Sequence, residues 1–270
     1  MKTISRVLVI LLFVSSSLTQ AQIIPVSSTS VISVSGTATV PLIYGGQSDT
    51  YSLINSAANF SSFTGSVGGD AFAEITILPP FALFLGTTLH AASSATQTTS
   101  IGADTISISS AVSAVAWMYS QVGSRSSYAR SLTEITFSID QLSVFSLSGS
   151  GSHFQSGSPY TTSTYVASLT SSDGAQLFQA TDNRQFFNSS GYSFDLIPPM
   201  TGLLQAGTYT LRTDINANAL FDPLGESGGG NISLMLRVTN VPDTADVATL
   251  LLISGLGIVL CRRIVLTLVR

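Results

Sequence analysis

The sequence predicts an all-β protein: an antiparallel β-sandwich of jelly-roll type, flanked by an N-terminal signal helix and a C-terminal transmembrane helix. Apolar and hydroxyl residues alternate with period two along the middle of the chain, the mark of half-buried antiparallel strands. Gly, Ser and Asp clusters punctuate those runs as turns. Apolar segments close both ends of a 270-residue chain in which only 9% of residues are charged.

At the N-terminus Lys2 and Arg6 precede the apolar run Val7 to Val14, which gives way to Ser15-Ser16-Ser17-Leu18-Thr19-Gln20-Ala21. Charge, apolar core and small residues in that order make a secretory signal. Thr19 and Ala21 fit the positions before a cleavage site, so residues 1–21 are the expected signal peptide. The alternative, a retained anchor, meets the difficulty that so short a core does not span a bilayer, which takes about 20 residues.

Residues 22–240 form the expected extracytoplasmic domain. Ile232, Leu234, Leu236 and Val238 share one face of a strand while Ser233, Arg237 and Thr239 share the other. Ile135, Phe137 and Ile139 stand likewise against Thr136, Ser138 and Asp140. Shorter alternating runs fall at Phe72 to Leu78, Thr105 to Ser109, Val144 to Ser148, Ser163 to Leu169 and Thr208 to Thr213. The expected turns are Gly68-Gly69-Asp70, Gly149-Ser150-Gly151, Ser172-Asp173-Gly174 and Gly228-Gly229-Gly230. Ala111 to Tyr119 fits either a strand or a helix. Residues 23–130 are less regular than 131–240, so the first half is expected to give strands joined by long Ser/Thr-rich loops. A split into two domains near residue 130 stays open, and Thr239 to Asp246 is the expected stalk.

This middle region carries Arg125, Arg130, Arg184, Arg212 and Arg237 against twelve carboxylates, a formal charge of −7, and no lysine. Nucleic acid and anionic lipid surfaces need a basic footprint, so neither is an expected partner. Solubility must come from hydroxyls and backbone, a surface suited to an extracellular matrix. The single cysteine, Cys261, lies in the C-terminal tail, so no disulfide staples the exported part.

That tail has three parts: Val241-Pro242-Asp243-Thr244, an apolar run from Val247 to Cys261, and Arg262-Arg263. As a helix the run is about 22 Å long against a hydrocarbon core of about 30 Å, which makes the span shallow, extended or temporary. Arg262 and Arg263 stop transfer and stay cytoplasmic, leaving the middle of the chain outside. From Val241 to Arg263 the arrangement resembles the PEP-CTERM class of sorting tails, in particular its Val-Pro-Asp-Ser-Gly variant. Ala245 stands where that variant has Gly, and residues 264–270 form a short apolar extension. The resemblance implies export across the inner membrane, attachment through the C-terminal helix, and an exosortase-type processing protease as partner. The product is then membrane-anchored or delivered to the cell surface. Leu204 to Leu211 also resembles the penultimate strand of proteins that carry such a tail. A plain tail anchor is one alternative; a cell-wall sortase signal, matched only at Pro242 and Thr244, is another.

Candidate sites are few. Gly225-Glu226-Ser227-Gly228-Gly229 resembles the Gly-Asp-Ser-Gly-Gly of chymotrypsin-like peptidases, and His90, Asp140 and Ser227 occur in that family's order. A Gly-rich turn before the last strand explains the same letters, and no catalytic residue is assigned. Asp214, Asn216, Asn218 and Asp222, followed by Glu226, offer oxygen ligands suited to calcium, the one cofactor the sequence suggests. An ordinary polar loop is the competing reading. His90 and His153 are far apart and make no zinc site; His90 is expected in a loop or packed, His153 exposed. Trp117, Tyr119, Tyr128, Phe154, Tyr160, Tyr165, Phe186, Phe187 and Tyr192 are candidates for a sugar-stacking platform, although strands also use aromatics for packing.

The expected function is that of an exported, surface-retained structural or adhesive protein among extracellular polysaccharide, with a carbohydrate-binding module as the alternative and a serine hydrolase using Ser227 behind both.

Overall fold

The computed structural model describes residues 22–75, 88–118, 123–156, 161–182, 191–220 and 225–241. The predicted signal peptide and everything from Pro242 to Arg270, including Asp243, Thr244, Cys261, Arg262 and Arg263, lie outside the described residues. No helix among the described residues is long and apolar enough to cross a membrane.

Alternation of small hydroxyl and apolar residues builds the strands directly. From Ser28 to Val40 every even-numbered residue is buried and the odd ones face outward, as period-two geometry requires. The strands are β1 (Ile24–Thr39), β2 (Ser48–Ala57), β3 (Phe63–Glu74), β4 (Thr88–Ile101), β5 (Thr105–Met118), β6 (Ser124–Ile139) and β7 (Ser143–Ser156). They continue with β8 (Thr162–Ser171), β9 (Gln176–Asp182), β10 (Gly191–Asp195), β11 (Met200–Leu204), β12 (Gly207–Leu220) and β13 (Glu226–Asn240).

Two antiparallel sheets result. The first runs β2-β1-β6-β12-β8-β9 and the second β10-β7-β13-β5-β4-β3, with β11 pairing β7 alongside β10. Strand β6 contains residue 130 and pairs with β1 on one side and β12 on the other, so chain from both sides of that residue forms one sheet. Phe137, Phe145, Ile135, Leu147, Leu169, Leu211 and Leu236 fill the space between the sheets. Each such burial contributes roughly 1.5–3 kcal/mol before entropy is counted. A smaller cluster of Ala38, Val40, Ala71, Ala73, Ile75, Leu89 and Ala91 sits under β3 and β4.

The sandwich differs from the sequence expectation in two ways. Residues 23–75 and 88–118 hold long strands where strands joined by long Ser/Thr-rich loops were expected, because Ser and Thr occupy many strand positions of a regular alternation, outward ones such as Ser33 and Thr98 and buried ones such as Ser30 and Thr99. And Gly68-Gly69, Gly149-Gly151 and Gly228-Gly230 lie inside β3, β7 and β13, whereas Ser172-Asp173-Gly174 does form a turn, with Gly174 at φ +86°. Strand glycines here make room for rings: Phe154 crosses Gly229, where a Cβ would sit 2.8 Å from the ring, and Tyr51 lies over both Gly69 and Gly36.

Both described chain ends meet the same turn. The Ile23 N–H donates to the Ala103 carbonyl at 2.7 Å and the Val238 N–H to Asp104 at 2.8 Å. The pairings Glu74↔Thr88, Leu89↔Met118 and Thr39↔Ser124 mark the opposite, far end.

Candidate functional site

Near that far end, Phe72 on β3, His90 on β4 and Trp117 on β5 are direct cross-strand partners, so three ring side chains form one row on the outer face of the second sheet. Ala71 and Ala73, Leu89 and Ala91, and Ala116, which flank the three rings along their strands, point into the sandwich and are at most 2% exposed. A sandwich strand ordinarily buries its large apolar residues. Here the order is reversed, with Phe72 55% and Trp117 52% exposed.

The row is held in place. Phe72 stacks on His90 at 4.3 Å between centroids with the planes 6° apart. His90 Nε2 lies 3.3 Å from Asp70 Oδ1, a solvent-facing contact that orients the imidazole and adds little energy. β3 is an edge strand, and beside the ring row two of its outward N–H groups are capped by side chains: Phe72 N–H donates to Asp49 Oδ2 at 3.0 Å and Glu74 N–H to Gln47 Oε1 at 2.8 Å.

The outer face of the first sheet is different in kind. Asp214 accepts from Arg130 Nε at 2.9 Å, from Arg130 Nη2 at 2.7 Å and from Arg212 Nη2 at 3.0 Å. Burial pushes its carboxyl up, but the two guanidiniums outweigh burial and hold it below the usual range. Thr37 bonds Ser126 at 3.0 Å, Thr136 bonds Thr210 at 3.1 Å and Asn216 donates to Thr164 at 2.7 Å. Asp214, Asn216 and Asn218 therefore sit at alternate positions of continuous strand β12, not in a loop, and Asp222 lies outside the described residues. Glu226 points the other way, into the sandwich, where its Oε2 accepts from Thr161 Oγ1 at 2.5 Å and from Leu220 N–H at 3.1 Å. Among the described residues no group of three or more His, Cys, Asp and Glu side chains is placed to hold a metal ion.

Buried ionisable groups were not legible in the sequence. Arg125, Glu226, His153 and Asp182 are all at most 4% exposed. His153, expected exposed, faces inward with its Nε2 3.6 Å from Asp182 Oδ2 and its ring edge-on to Tyr165. Ser227 lies on the outer face of β13 toward the far end, as His90 does on β4, while Asp140 follows β6 at the opposite end; the structure does not bring the three together.

Of the predicted aromatics, Trp117 and Phe154 face outward on the second sheet, Tyr128 on the first, and Tyr165 is buried. Tyr119, Tyr160, Phe186 and Phe187 lie outside the described residues. Phe72 and His90 were missed. The signal was present in Ala-Phe-Ala, Leu-His-Ala and Ala-Trp, in which a small or aliphatic residue takes the buried position beside a ring.

No protein-family profile matches the chain, and no curated protein is similar to it. Among solved structures it is similar to the infectious bursal disease virus Gx strain at 8% identity, over 83% of this chain and 58% of that one, with a TM-score of 0.23. It is also similar to the enzymatically active domain of bacteriophage CBA120 tailspike protein 4, at 12% identity over 66% of this chain and 19% of that one, with a TM-score of 0.16. The chain thus spans under two thirds of either structure, and likenesses of this size carry no argument.

Proposed function

We propose that this chain is an exported, surface-retained adhesive or structural protein that binds neutral polysaccharide through the Phe72–His90–Trp117 row. The observation that carries it is the reversal of burial in β3 to β5. Rings that would stabilise the core stand in water, and alanines take their places inside. The half-exposed rings of Phe72 and Trp117 offer apolar area to the apolar faces of sugars at low entropy cost. The chain's negative charge and the absence of lysine from residues 22–240 disfavour anionic ligands.

Retention rests on the tail from Val241 to Arg263, with Val241, Pro242, Asp243 and Thr244 as sorting motif, Arg262 and Arg263 as stop-transfer pair, and an exosortase-type protease as partner. The shared turn at Ala103 and Asp104 supports this reading, since a tail leaving there directs the ring row away from the membrane. Repeated crossing between sheets along β5, β6, β7 and β8 supports a jelly-roll-like winding. The reading assigns the protein no reaction.

Two measurements test it. Intact mass of protein recovered from its native envelope is expected to lack residues 1–21. Binding to neutral polysaccharide is expected to be lost in Trp117→Ala with the fold retained. Full-length protein dissolved in the cytoplasm would overturn the localisation, and a Trp117→Ala protein that binds like wild type would overturn the site.

A further inference from the structure

Past an intervening row of Asp70, Ala92, Val115 and Ser227, the outer face of the second sheet beyond the rings becomes an ordered field of hydroxyls. One row across the strands comprises Thr64, Thr98, Ser109, Ser233 and Ser150, each the direct partner of the next and all exposed. The adjacent row is Ser66, Thr96, Ala111, Asn231 and Ser152, ending on Ser193 of β10. A third holds Ser94 and Ser113, with Phe154 lying across Gly229. Backbone geometry sets the spacing at about 4.8 Å between strands and about 6.8 Å along each, so five strands span about 19 Å.

Two features separate this field from the opposite face. No ionised side chain interrupts these rows between β3 and β7; Asp70, Glu74, Asp195 and Arg237 stand only at the margins. And among the described residues none of the hydroxyls in the first two rows bonds another side chain or a backbone group, whereas the first sheet's outer face carries the cross-strand bonds Thr37–Ser126, Thr136–Thr210 and Asn216–Thr164 and the Arg130–Asp214–Arg212 cluster. A periodic array of unspent, uncharged donors and acceptors complements a ligand that is itself neutral and periodic in two directions.

We infer that the face binds several neutral polysaccharide chains lying side by side, as in an insoluble or fibrous glycan, and not a single chain or chain end. This rests on the polysaccharide-binding reading above and deepens it. The ring row stacks on one chain while the hydroxyl rows engage its neighbours, each bond being weak and the sum multivalent.

The test compares full-length protein in detergent on cellulose, chitin and α-glucan powders with the soluble hexasaccharide of whichever sugar is bound. Thr98→Val, Ser109→Ala and Ser233→Ala are combined in one variant, all at exposed positions that tolerate substitution; a thermal melt checks its fold. The variant is expected to bind the powder about tenfold more weakly while hexasaccharide binding stays within about twofold. Trp117→Ala is expected to weaken both. Unchanged powder binding by the triple variant, an equal loss on the hexasaccharide, or no binding to any powder overturns the inference. So does self-association of the wild type that the triple variant abolishes, which would make the face a contact between copies. If Trp117→Ala weakens neither interaction, the ring-row reading itself fails, whatever the hydroxyl variant does.

Discussion

Phe72 and His90 lie parallel on neighbouring strands, 4.3 Å between ring centroids and 6° between planes, on a face open to solvent. The Asp49 carboxylate fixes the Phe72 backbone from the side by accepting its N–H at 3.0 Å. A stack so exposed contributes little to folding.

Truncating the row should therefore leave stability almost intact. Trp117→Ala is expected to change the unfolding free energy by less than about 1 kcal/mol, whereas Phe145→Ala, in the core, should cost about 3–5 kcal/mol. Urea denaturation of both variants measures the difference.

Asp49→Ala removes the acceptor that caps the edge of β3. A loss of about 1 kcal/mol is expected, together with faster hydrogen exchange at the Phe72 amide. Exchange there at the wild-type rate would show that the edge is held by other contacts.

The ring of Tyr51 fits because residues 36 and 69 lack side chains. At Gly36 a Cβ would lie 2.5 Å from its Cε1, and Tyr51 Oη bonds Ser93 Oγ at 2.6 Å. Gly36→Ala should cost about 1–3 kcal/mol alone and much less in a Tyr51→Ala background. A double-mutant cycle reads the coupling; additive losses would sever the link between the two residues.

Asp214 gives a pH dependence with a defined sign. Its folded value is depressed by Arg130 and Arg212 against the opposing push of burial, so its contribution is present above the unfolded value of about 3.9 and is lost as pH falls through the lower folded one. Both guanidiniums remain partly in water, which screens the pair. Asp214→Asn should cost about 1 kcal/mol near neutrality and nothing once the wild-type carboxyl is protonated. Because Asp214 already accepts from both arginines, added calcium is expected to leave the Tm unchanged.

Much of the fold was legible because the code for a half-buried strand is simple alternation, as in Ile232 to Thr239 and Ile135 to Asp140. The first half is less legible because Ser27 to Ser30 is a run of hydroxyls and Ile32 to Thr39 alternates Ser and Thr with isoleucine, valine, glycine and alanine, a low-contrast pattern. Strand glycines read as turns in the sequence because a ring crossing such as Phe154 over Gly229 depends on a residue far away along the chain. The same holds for the site: Phe72, His90 and Trp117 are separated along the chain, and only the register of β3, β4 and β5 aligns them. The inward turn of Glu226 and His153 was hidden for that reason too, since their partners Thr161, Leu220 and Asp182 come from other strands.

Trp117 is the only tryptophan in the chain, so intrinsic tryptophan fluorescence reports on the ring row directly. Titrating the protein with neutral oligosaccharides is expected to shift that emission to shorter wavelength and to shield it from acrylamide as ligand covers the ring. A saccharide whose binding is evident by calorimetry but which leaves both the emission and the quenching of Trp117 unchanged would contradict the assignment of this row as the binding surface.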